Sequence, residues 1–339
     1  MKKHFTSISL IGSTSSGKST LGNLLAGRRV FPSGVQETTT SVADVIHQKM
    51  LNQRSSIFMT NLSDKQSDGV QTIQFESDTE VMSQLNMLMS LNSASNIHLK
   101  IQLSMNAKPK LGKKWMRYYF HNMYLQRKKL LDELEILDGF FIRDFPGFQH
   151  ESDNNRLTLL ENYLDRDGLI LFVFNAEETD DIKENKLLDR LFDVLHRQNR
   201  NWQSVIFLLN RMDAFYRDID PNVNLINALT ARKQSIRKLI YEKWKKTITD
   251  SELTIIPVAA GLALSTELLC WQTDSTTESE CQNLKEHVAD YGLCLLPDEL
   301  TNTLSRDVNK WYFKQWLQVY NAMYFSSGIH ALAEKLKFG

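Results

Sequence analysis

An octapeptide near the start of the sequence, residues 12–19, most constrains what this chain can fold into. It reads Gly-Ser-Thr-Ser-Ser-Gly-Lys-Ser and matches G-x-x-x-x-G-K-[ST], whose glycines let backbone N–H groups curl around a phosphate. Residues 5–11 alternate and then become apolar, as in a buried strand, and residues 20–27 place leucines on one helical face. Because this order points the start of a helix at the anion, we predict a phosphate-binding loop.

Side chains of the loop can bind the rest of a nucleotide. Lys18 can reach the outer phosphates, and the Ser19 hydroxyl can hold Mg²⁺. The residues predicted to contact the nucleotide here are Gly12, Ser13, Thr14, Ser15, Ser16, Gly17, Lys18, Ser19 and Thr20.

Composition restricts the partners of the chain. Its 339 residues carry 40 Lys+Arg and 40 Asp+Glu, so overall charge directs it neither to nucleic acid nor to a membrane. The three cysteines lack C-x-x-C spacing, which argues against a disulfide framework or a zinc site and favours a reducing compartment. We therefore expect a cytoplasmic protein, either free or peripheral to a membrane, and nucleic acid is not the favoured partner.

Two later segments have the chemistry of a magnesium-dependent phosphate site. Residues 28–40 form a predicted loop that ends in three threonines, which either complete the Mg²⁺ coordination or are simply solvated. Asp144 ends a predicted strand and can order Mg²⁺, while the backbone N–H of Gly147 can meet a γ-phosphate. That strand is predicted to form a hairpin, with residues 134–137 and 140–142 joined by an Asp-Gly turn.

Residues 210–213, Asn-Arg-Met-Asp, follow a predicted buried strand and indicate which base is bound. A carboxylate at Asp213 can accept hydrogen bonds from N1–H and the amine of guanine, whereas adenine presents an acceptor at N1. Asn210 can bond both the base and the phosphate loop. After the next predicted strand, a backbone N–H at Ala260 can meet the guanine carbonyl oxygen.

The order of these segments is similar to the five-motif series of GTP-binding domains. Residues 31–40 read F-P-S-G-V-x-x-T-T-T, residues 144–147 read D-F-P-G, and residues 326–332 read S-S-G-I-x-x-L. With N-R-x-D in the fourth motif, the chain resembles the dynamin superfamily of large GTPases, in particular its bacterial dynamin-like and mitofusin-type branch.

The resemblance implies an α/β fold. We expect a P-loop GTPase domain over residues 1–339, with a mostly parallel central sheet flanked by helices. A long insertion at about 48–133 separates the second and third nucleotide motifs, and a smaller one lies at about 265–312. Stalk and membrane-binding parts of the family are not recognised, so the chain is either an excised domain or works with partner chains that supply them.

The resemblance also implies roles for single residues in Mg²⁺-dependent hydrolysis of GTP to GDP and phosphate. Lys18 binds the outer phosphates, and Ser15 neutralises charge that develops in the reaction. Ser19 and Thr39 bind Mg²⁺, and Thr39 also positions the attacking water, although Thr38 and Thr40 remain alternatives. The residues implied to contact nucleotide or metal outside the first loop are Thr39, Asp144, Gly147, Asn210, Arg211, Asp213 and Ala260.

Two departures from the family pattern leave open how fast the protein hydrolyses GTP. Thr14 stands where many dynamins carry a glutamine, and Phe148 stands where small GTPases carry their catalytic glutamine. The leading expectation is a GTPase whose nucleotide state controls homodimerisation or assembly, and the alternative is a nucleotide-gated scaffold with little hydrolysis. Residues 108–129 hold eight Lys/Arg and no acid, which suits either a patch for anionic lipid, nucleic acid or an acidic partner, or a solvated helix face.

Overall fold

The computed structural model of the protein describes residues 7–26, 31, 42–47, 55–61, 71–75, 97–103, 141–147, 154–166, 168–178, 181–217, 225–244, 253–270, 278–289, 295–304, 310–311 and 313–338. Within these ranges the strands are β1 Ser7–Gly12, β2 Val42–His47, β3 Ser55–Asn61, β4 Gln71–Phe75, β5 Ile97–Leu103, β6 Phe141–Asp144, β7 Leu169–Asn175, β8 Val205–Asn210 and β9 Ile255–Pro257. The α-helices in the same ranges are α1 Lys18–Ala26, α2 Asn154–Tyr163, α3 Asp181–Arg197, α4 Ala214–Arg217, α5 Leu225–Lys243, α6 Ala260–Cys270, α7 Glu278–His287, α8 Asp298–Thr301, α9 Phe313–Ser326 and α10 Ile329–Phe338.

The strands form one mixed sheet in the order β4-β3-β5-β2-β6-β1-β7-β8-β9. Its second half, from β6 to β9, is parallel throughout, and β2 joins β6 in antiparallel fashion. The chain runs from β1 to β2 on one side of the sheet and later from β6 past β1 to β7 on the other side, and this change of direction opens a crevice at the carboxyl ends of the strands. The predicted α/β fold, a mostly parallel sheet flanked by helices, is confirmed.

Both faces of the parallel half are buried, as strand β7 illustrates. Its residues alternate between two cores: Leu169, Leu171 and Val173 pack on one side and Ile170, Phe172 and Phe174 on the other. The first core includes side chains of α1, α6 and α10, and the second includes those of α2, α3 and α5. A continuous apolar run is therefore what a strand covered on both faces requires.

Two local predictions are wrong. Strand β6 pairs with β1 along one edge and with β2 along the other, so neither edge is left for the predicted hairpin with residues 134–137. The polar, acidic composition of residues 273–282 predicts a loop, but helix α7 begins at Glu278. Local turn and polarity signals carry no information about which distant strand or helix covers a segment.

A buried ion pair connects β2 to β6. Asp44 and Arg143 are directly opposite in the antiparallel register, and Arg143 Nε and Nη2 donate to the two carboxylate oxygens at 2.6 and 2.8 Å. Arg143 also donates to the carbonyl oxygen of Tyr163. With Asp44 at 2% and Arg143 at 6% exposure, the pair fixes the strand that precedes Asp144.

No helix in the described ranges is both long and apolar enough to cross a membrane.

Candidate nucleotide site

The segment after β1 folds into a tight loop because two of its residues adopt left-handed backbone conformations. Ser15 has φ 61° and Gly17 has φ 85°, and glycine accepts such an angle without the steric cost of a Cβ. Close packing sets a second requirement, since a Cβ on Gly12 would lie 2.8 Å from Ser16 Oγ and would also meet the carbonyl of Val173. The motif glycines are thus needed by the geometry of the loop.

Polar groups of the loop are buried around a common centre. Lys18 Nζ donates to the carbonyl oxygen of Ser13 at 2.8 Å. The hydroxyls of Ser13, Thr14 and Ser16 are buried, and none has a hydrogen-bond partner in the part of the chain that the structure describes. A buried hydroxyl without a partner costs about 1–3 kcal/mol, and oxygens of a bound phosphate can remove that cost. Helix α1 begins at Lys18, so its N-terminal N–H groups face the same centre.

Ser19 and Asp144 form a compact pair of oxygen donors. The Ser19 hydroxyl donates to Asp144 Oδ2 at 2.6 Å, and the two residues are 8% and 0% exposed. A hydroxyl and a carboxylate are ligands of the kind that Mg²⁺ prefers, and the ion completes its shell with water and phosphate oxygens. The donor set therefore fits Mg²⁺.

The third motif packs directly on the loop at Gly147. A Cβ on this glycine would lie 2.5 Å from Thr14 Oγ1 and 2.7 Å from Thr14 Cα. The backbone of Gly147 consequently lies against the loop, with no space for a side chain between them.

Replacement of Gly147 by alanine is expected to destabilise the nucleotide-free protein by about 1–3 kcal/mol, because the added methyl group forces the third motif away from Thr14. Urea denaturation measures the change. Gly261→Ala is the matched control, since a Cβ there meets only His287 Cε1 at 3.5 Å, an ordinary contact. Equal stability of the two variants would contradict the packing described here.

Asn210 joins the phosphate loop to the segment that follows β9. Its Nδ2 donates to the carbonyl oxygen of Ser16 at 2.8 Å, and its Oδ1 accepts from the backbone N–H of Ala260 at 3.1 Å. The N–H of Ala260, which was predicted to meet the base, is thus donated to Asn210 in this structure. The same side chain fills the space that a Cβ on Gly17 would need. Asn210 therefore connects the phosphate loop to the N-terminus of α6.

The fourth motif ends in a carboxylate with an altered proton affinity. Burial raises the pKa of Asp213, an effect that a backbone N–H and the nearby His287 and Arg211 partly oppose. Glu177 raises this pKa further and also forms an ion pair with Arg211. Arg211 has φ 62°, which turns the chain between Asn210 and Asp213.

The raised pKa of Asp213 leads to a stability prediction. The pKa of Asp213 is higher in the folded protein than in the unfolded chain, so the carboxylate form is disfavoured by folding. The free energy of unfolding therefore falls as pH rises from the unfolded pKa through the folded pKa. Asp213→Asn is therefore expected to raise the melting temperature of the nucleotide-free protein at pH 7, and the gain should shrink as pH falls towards 4. A gain that is the same at both pH values would contradict this origin.

One residue of this region was missed in the sequence. His287 ends helix α7, where its Nδ1 lies 2.8 Å from Ser265 Oγ and its ring lies beside Gly261. A lone histidine far along the chain, outside every nucleotide motif, carries no local signal for a place in this site.

Several predicted residues lie outside the described residues. They are Thr38, Thr39, Thr40, Phe148 and the basic segment 108–129. The predicted residues that the structure describes are Gly12, Ser13, Thr14, Ser15, Ser16, Gly17, Lys18, Ser19, Thr20, Asp144, Gly147, Asn210, Arg211, Asp213 and Ala260. Contacts join the loop to Asp144, Gly147 and Asn210, and Asn210 joins it to Ala260.

Solved structures with a similar backbone are distant in sequence. Toc33 from Arabidopsis thaliana in complex with GDP and Mg²⁺ has 10% identity and a TM-score of 0.41, with 76% of this chain and 71% of that chain covered. A dimerization-deficient mutant of Toc33 gives 12% identity, a TM-score of 0.39 and the same coverage. An oligomerised bacterial dynamin pair, described as a mechanism for long-range sensing and tethering of membranes, has 12% identity and a TM-score of 0.46. That alignment covers 97% of this chain but 41% of the bacterial dynamin chain.

Sequence comparison identifies the family. No protein with a curated description matches the chain. The sequence model of the dynamin family matches residues 8–212, which is more than half of the chain and runs from β1 through the fourth motif. The chain therefore belongs to the dynamin family and contains its GTPase domain.

Proposed function

We propose that the protein binds guanine nucleotide with Mg²⁺ and hydrolyses GTP to GDP and phosphate. One observation carries the proposal: Asn210 hydrogen-bonds both the phosphate loop, at Ser16, and the start of α6, at Ala260, and so connects the first, fourth and fifth motifs. A base and its phosphates are then bound by one rigid unit. The two acceptor oxygens of the Asp213 carboxylate select guanine, which offers two N–H donors, over adenine, which presents an acceptor at N1.

The phosphates are proposed to lie in the loop at the start of α1. Their oxygens accept hydrogen bonds from backbone N–H groups and from the buried hydroxyls of Ser13, Thr14 and Ser16. Lys18 is proposed to leave the carbonyl oxygen of Ser13 and bind the outer phosphates, because its ammonium group forms a stronger hydrogen bond with an anionic oxygen than with a carbonyl. Gly147, packed on Thr14, brings its backbone N–H to the γ-phosphate.

Ser19 and Asp144 are proposed to hold Mg²⁺, Ser19 directly and Asp144 through water. The ion supplies charge that stabilises the phosphate oxygens as the γ-phosphate leaves. Thr39 is proposed to complete the coordination and to orient the attacking water. Water attacks the γ-phosphorus in line, and no protein group forms a bond to it. Catalysis therefore consists mainly of positioning and electrostatic stabilisation.

Competition binding tests the base and metal assignments together. GTP and GDP should displace a fluorescent GDP analogue at concentrations at least about 100-fold lower than ATP and ADP do, because adenine leaves Asp213 unsatisfied. Chelation of Mg²⁺ should weaken GTP binding more than GDP binding. Displacement at equal concentrations by ATP and GTP would contradict the assignment of guanine.

We also propose that nucleotide state controls association with a second copy of the chain, a behaviour suggested by membership of the family. Light scattering should then give a larger mass with a non-hydrolysable GTP analogue than with GDP. The same mass in both states, at every protein concentration, would exclude nucleotide-controlled association.

A further inference from the structure

A carboxylate that the proposed reaction does not use is buried behind the end of β7. Glu184 lies near the start of α3 and is 1% exposed. Its Oε2 accepts a hydrogen bond from Arg232 Nη2 on α5 at 3.0 Å, and its Oε1 accepts one from the backbone N–H of Asn175 at 3.2 Å. A buried carboxylate is costly unless it is paired and hydrogen-bonded, and both conditions are met here. The carboxylate therefore connects two helices to the last residue of β7.

Asn175 begins a turn that is held by its own polar groups. Its side chain is buried, and Oδ1 accepts from the backbone N–H of Glu177 at 3.1 Å. Its carbonyl oxygen accepts from the backbone N–H of Glu178 at 3.3 Å. Because Glu184 holds the N–H of the same residue, the direction in which the chain leaves β7 is set by these three hydrogen bonds.

The turn donates a backbone hydrogen bond to Asn210. Asn175 and Asn210 are opposite each other in the parallel register of β7 and β8. The next residue, Ala176, donates its N–H to the carbonyl oxygen of Asn210 at 2.9 Å. Asn210 is also the residue whose side chain bonds the phosphate loop and the start of α6. A continuous series of hydrogen bonds therefore runs from Glu184 to the residue that connects the nucleotide motifs.

We propose that Glu184 is a positioning residue of the nucleotide site, which is held by Arg232 and fixes the end of β7, and through it the backbone of Asn210. The inference rests on the proposed binding of guanine nucleotide and adds residues of α3 and α5 that the nucleotide motifs do not contain. The carboxylate orders the site before the nucleotide arrives, which lowers the cost of binding. Its loss should therefore weaken affinity although no contact with the nucleotide is removed.

Glu184→Gln in the full chain tests the proposal, because it keeps the size of the side chain and replaces one acceptor oxygen by an amide donor. The amide N–H must then face either the N–H of Asn175 or the guanidinium of Arg232. GDP binding, measured by calorimetry with Mg²⁺, should weaken about fivefold, in line with loss of one hydrogen bond to a charged group. Arg232→Met should weaken it in the same direction, whereas Arg232→Lys, which keeps the positive charge, should retain most of the affinity.

Val194→Ala is the matched control, because Val194 is buried further along the same helix and its truncation loosens the packing of α3. This variant should have a lower melting temperature and bind GDP as the wild type does. Hydrogen exchange in the nucleotide-free chain gives a second readout. The amide of Ala176 should exchange faster in Glu184→Gln than in Val194→Ala, because only the first variant releases the turn that carries it.

Each outcome decides the proposal. Weaker GDP binding in Glu184→Gln, with faster exchange at Ala176 and normal binding by Val194→Ala, supports it. A GDP affinity of Glu184→Gln within about twofold of the wild type overturns it. An equal loss of affinity in Val194→Ala also overturns it, since α3 would then only support the fold. A wild type that binds no GDP would instead overturn the proposed function, and the role of Glu184 with it.

Discussion

Asp213→Asn is expected to lower the affinity for GTP about 100-fold and to raise the affinity for xanthosine triphosphate. In the proposed site the carboxylate accepts two hydrogen bonds from guanine, and their loss together with the charge should cost about 2.7 kcal/mol. Xanthine carries a carbonyl in place of the 2-amine, so the new amide N–H can donate where the carboxylate would be repelled. Isothermal titration calorimetry with both nucleotides measures the exchange of preference.

Asp298→Asn serves as the control for this substitution, because Asp298 is exposed on the short helix α8 and has no proposed role. It should bind GTP as the wild type does. If Asp213→Asn also retained GTP affinity within about threefold, less than the loss expected for a single charged hydrogen bond, Asp213 would not be at the base.

Arg143→Met is expected to destabilise the fold by about 3–5 kcal/mol, the cost of leaving a buried charge without its partner. Arg143 holds both oxygens of Asp44 and also bonds the carbonyl of Tyr163. Its removal leaves the Asp44 carboxylate uncompensated between β2 and β6. Chemical denaturation followed by tryptophan fluorescence measures the loss.

Two further variants separate this ion pair from general damage. Asp44→Asn in the Arg143→Met background should recover part of the lost stability, because a neutral amide is less costly to bury than a carboxylate. Arg197→Met removes an arginine that pairs with Glu161 at the surface, and should cost about 1 kcal/mol or less. Equal losses for Arg143→Met and Arg197→Met would contradict a structural role for the buried pair.

The parallel half of the fold and its phosphate loop were accessible from sequence because their signals are local. Strands β1, β7 and β8 are apolar runs that precede polar motifs, and the loop pattern needs only eight consecutive residues. Their burial on both faces follows from the run itself. The first, third and fourth motifs directly follow β1, β6 and β8, so their sequence positions alone predict that they meet at the carboxyl ends of the strands.

Other features depend on partners far apart in the chain. Asp44 and Arg143 are ordinary charged residues until the antiparallel register of β2 and β6 places them opposite each other. The basic residues between positions 232 and 243 predict a solvated helix face, but Arg232 donates to the buried Glu184 at 3.0 Å. Strands β3 and β4 lie in a mixed, polar stretch, and only their pairing on β5 gives them a place in the sheet.

His287 illustrates the same limit within the site. The hydrogen bond of its ring to Ser265 and the burial of the next residue, Val288, in the cluster that contains Met212 both depend on helices that are far apart in the chain. The sequence motifs identify residues that are predicted to contact the nucleotide, whereas the place of His287 beside Gly261 is found only once the helices are assembled.

Release of inorganic phosphate from GTP, measured against protein concentration in the presence of Mg²⁺, tests the central claim most directly. The wild type should hydrolyse GTP and leave ATP intact, Lys18→Ala should show no turnover, and the rate per molecule should rise with protein concentration if two copies act together. Binding of GTP without any phosphate release, at every protein concentration, would contradict the claim that this dynamin-family chain is a GTPase.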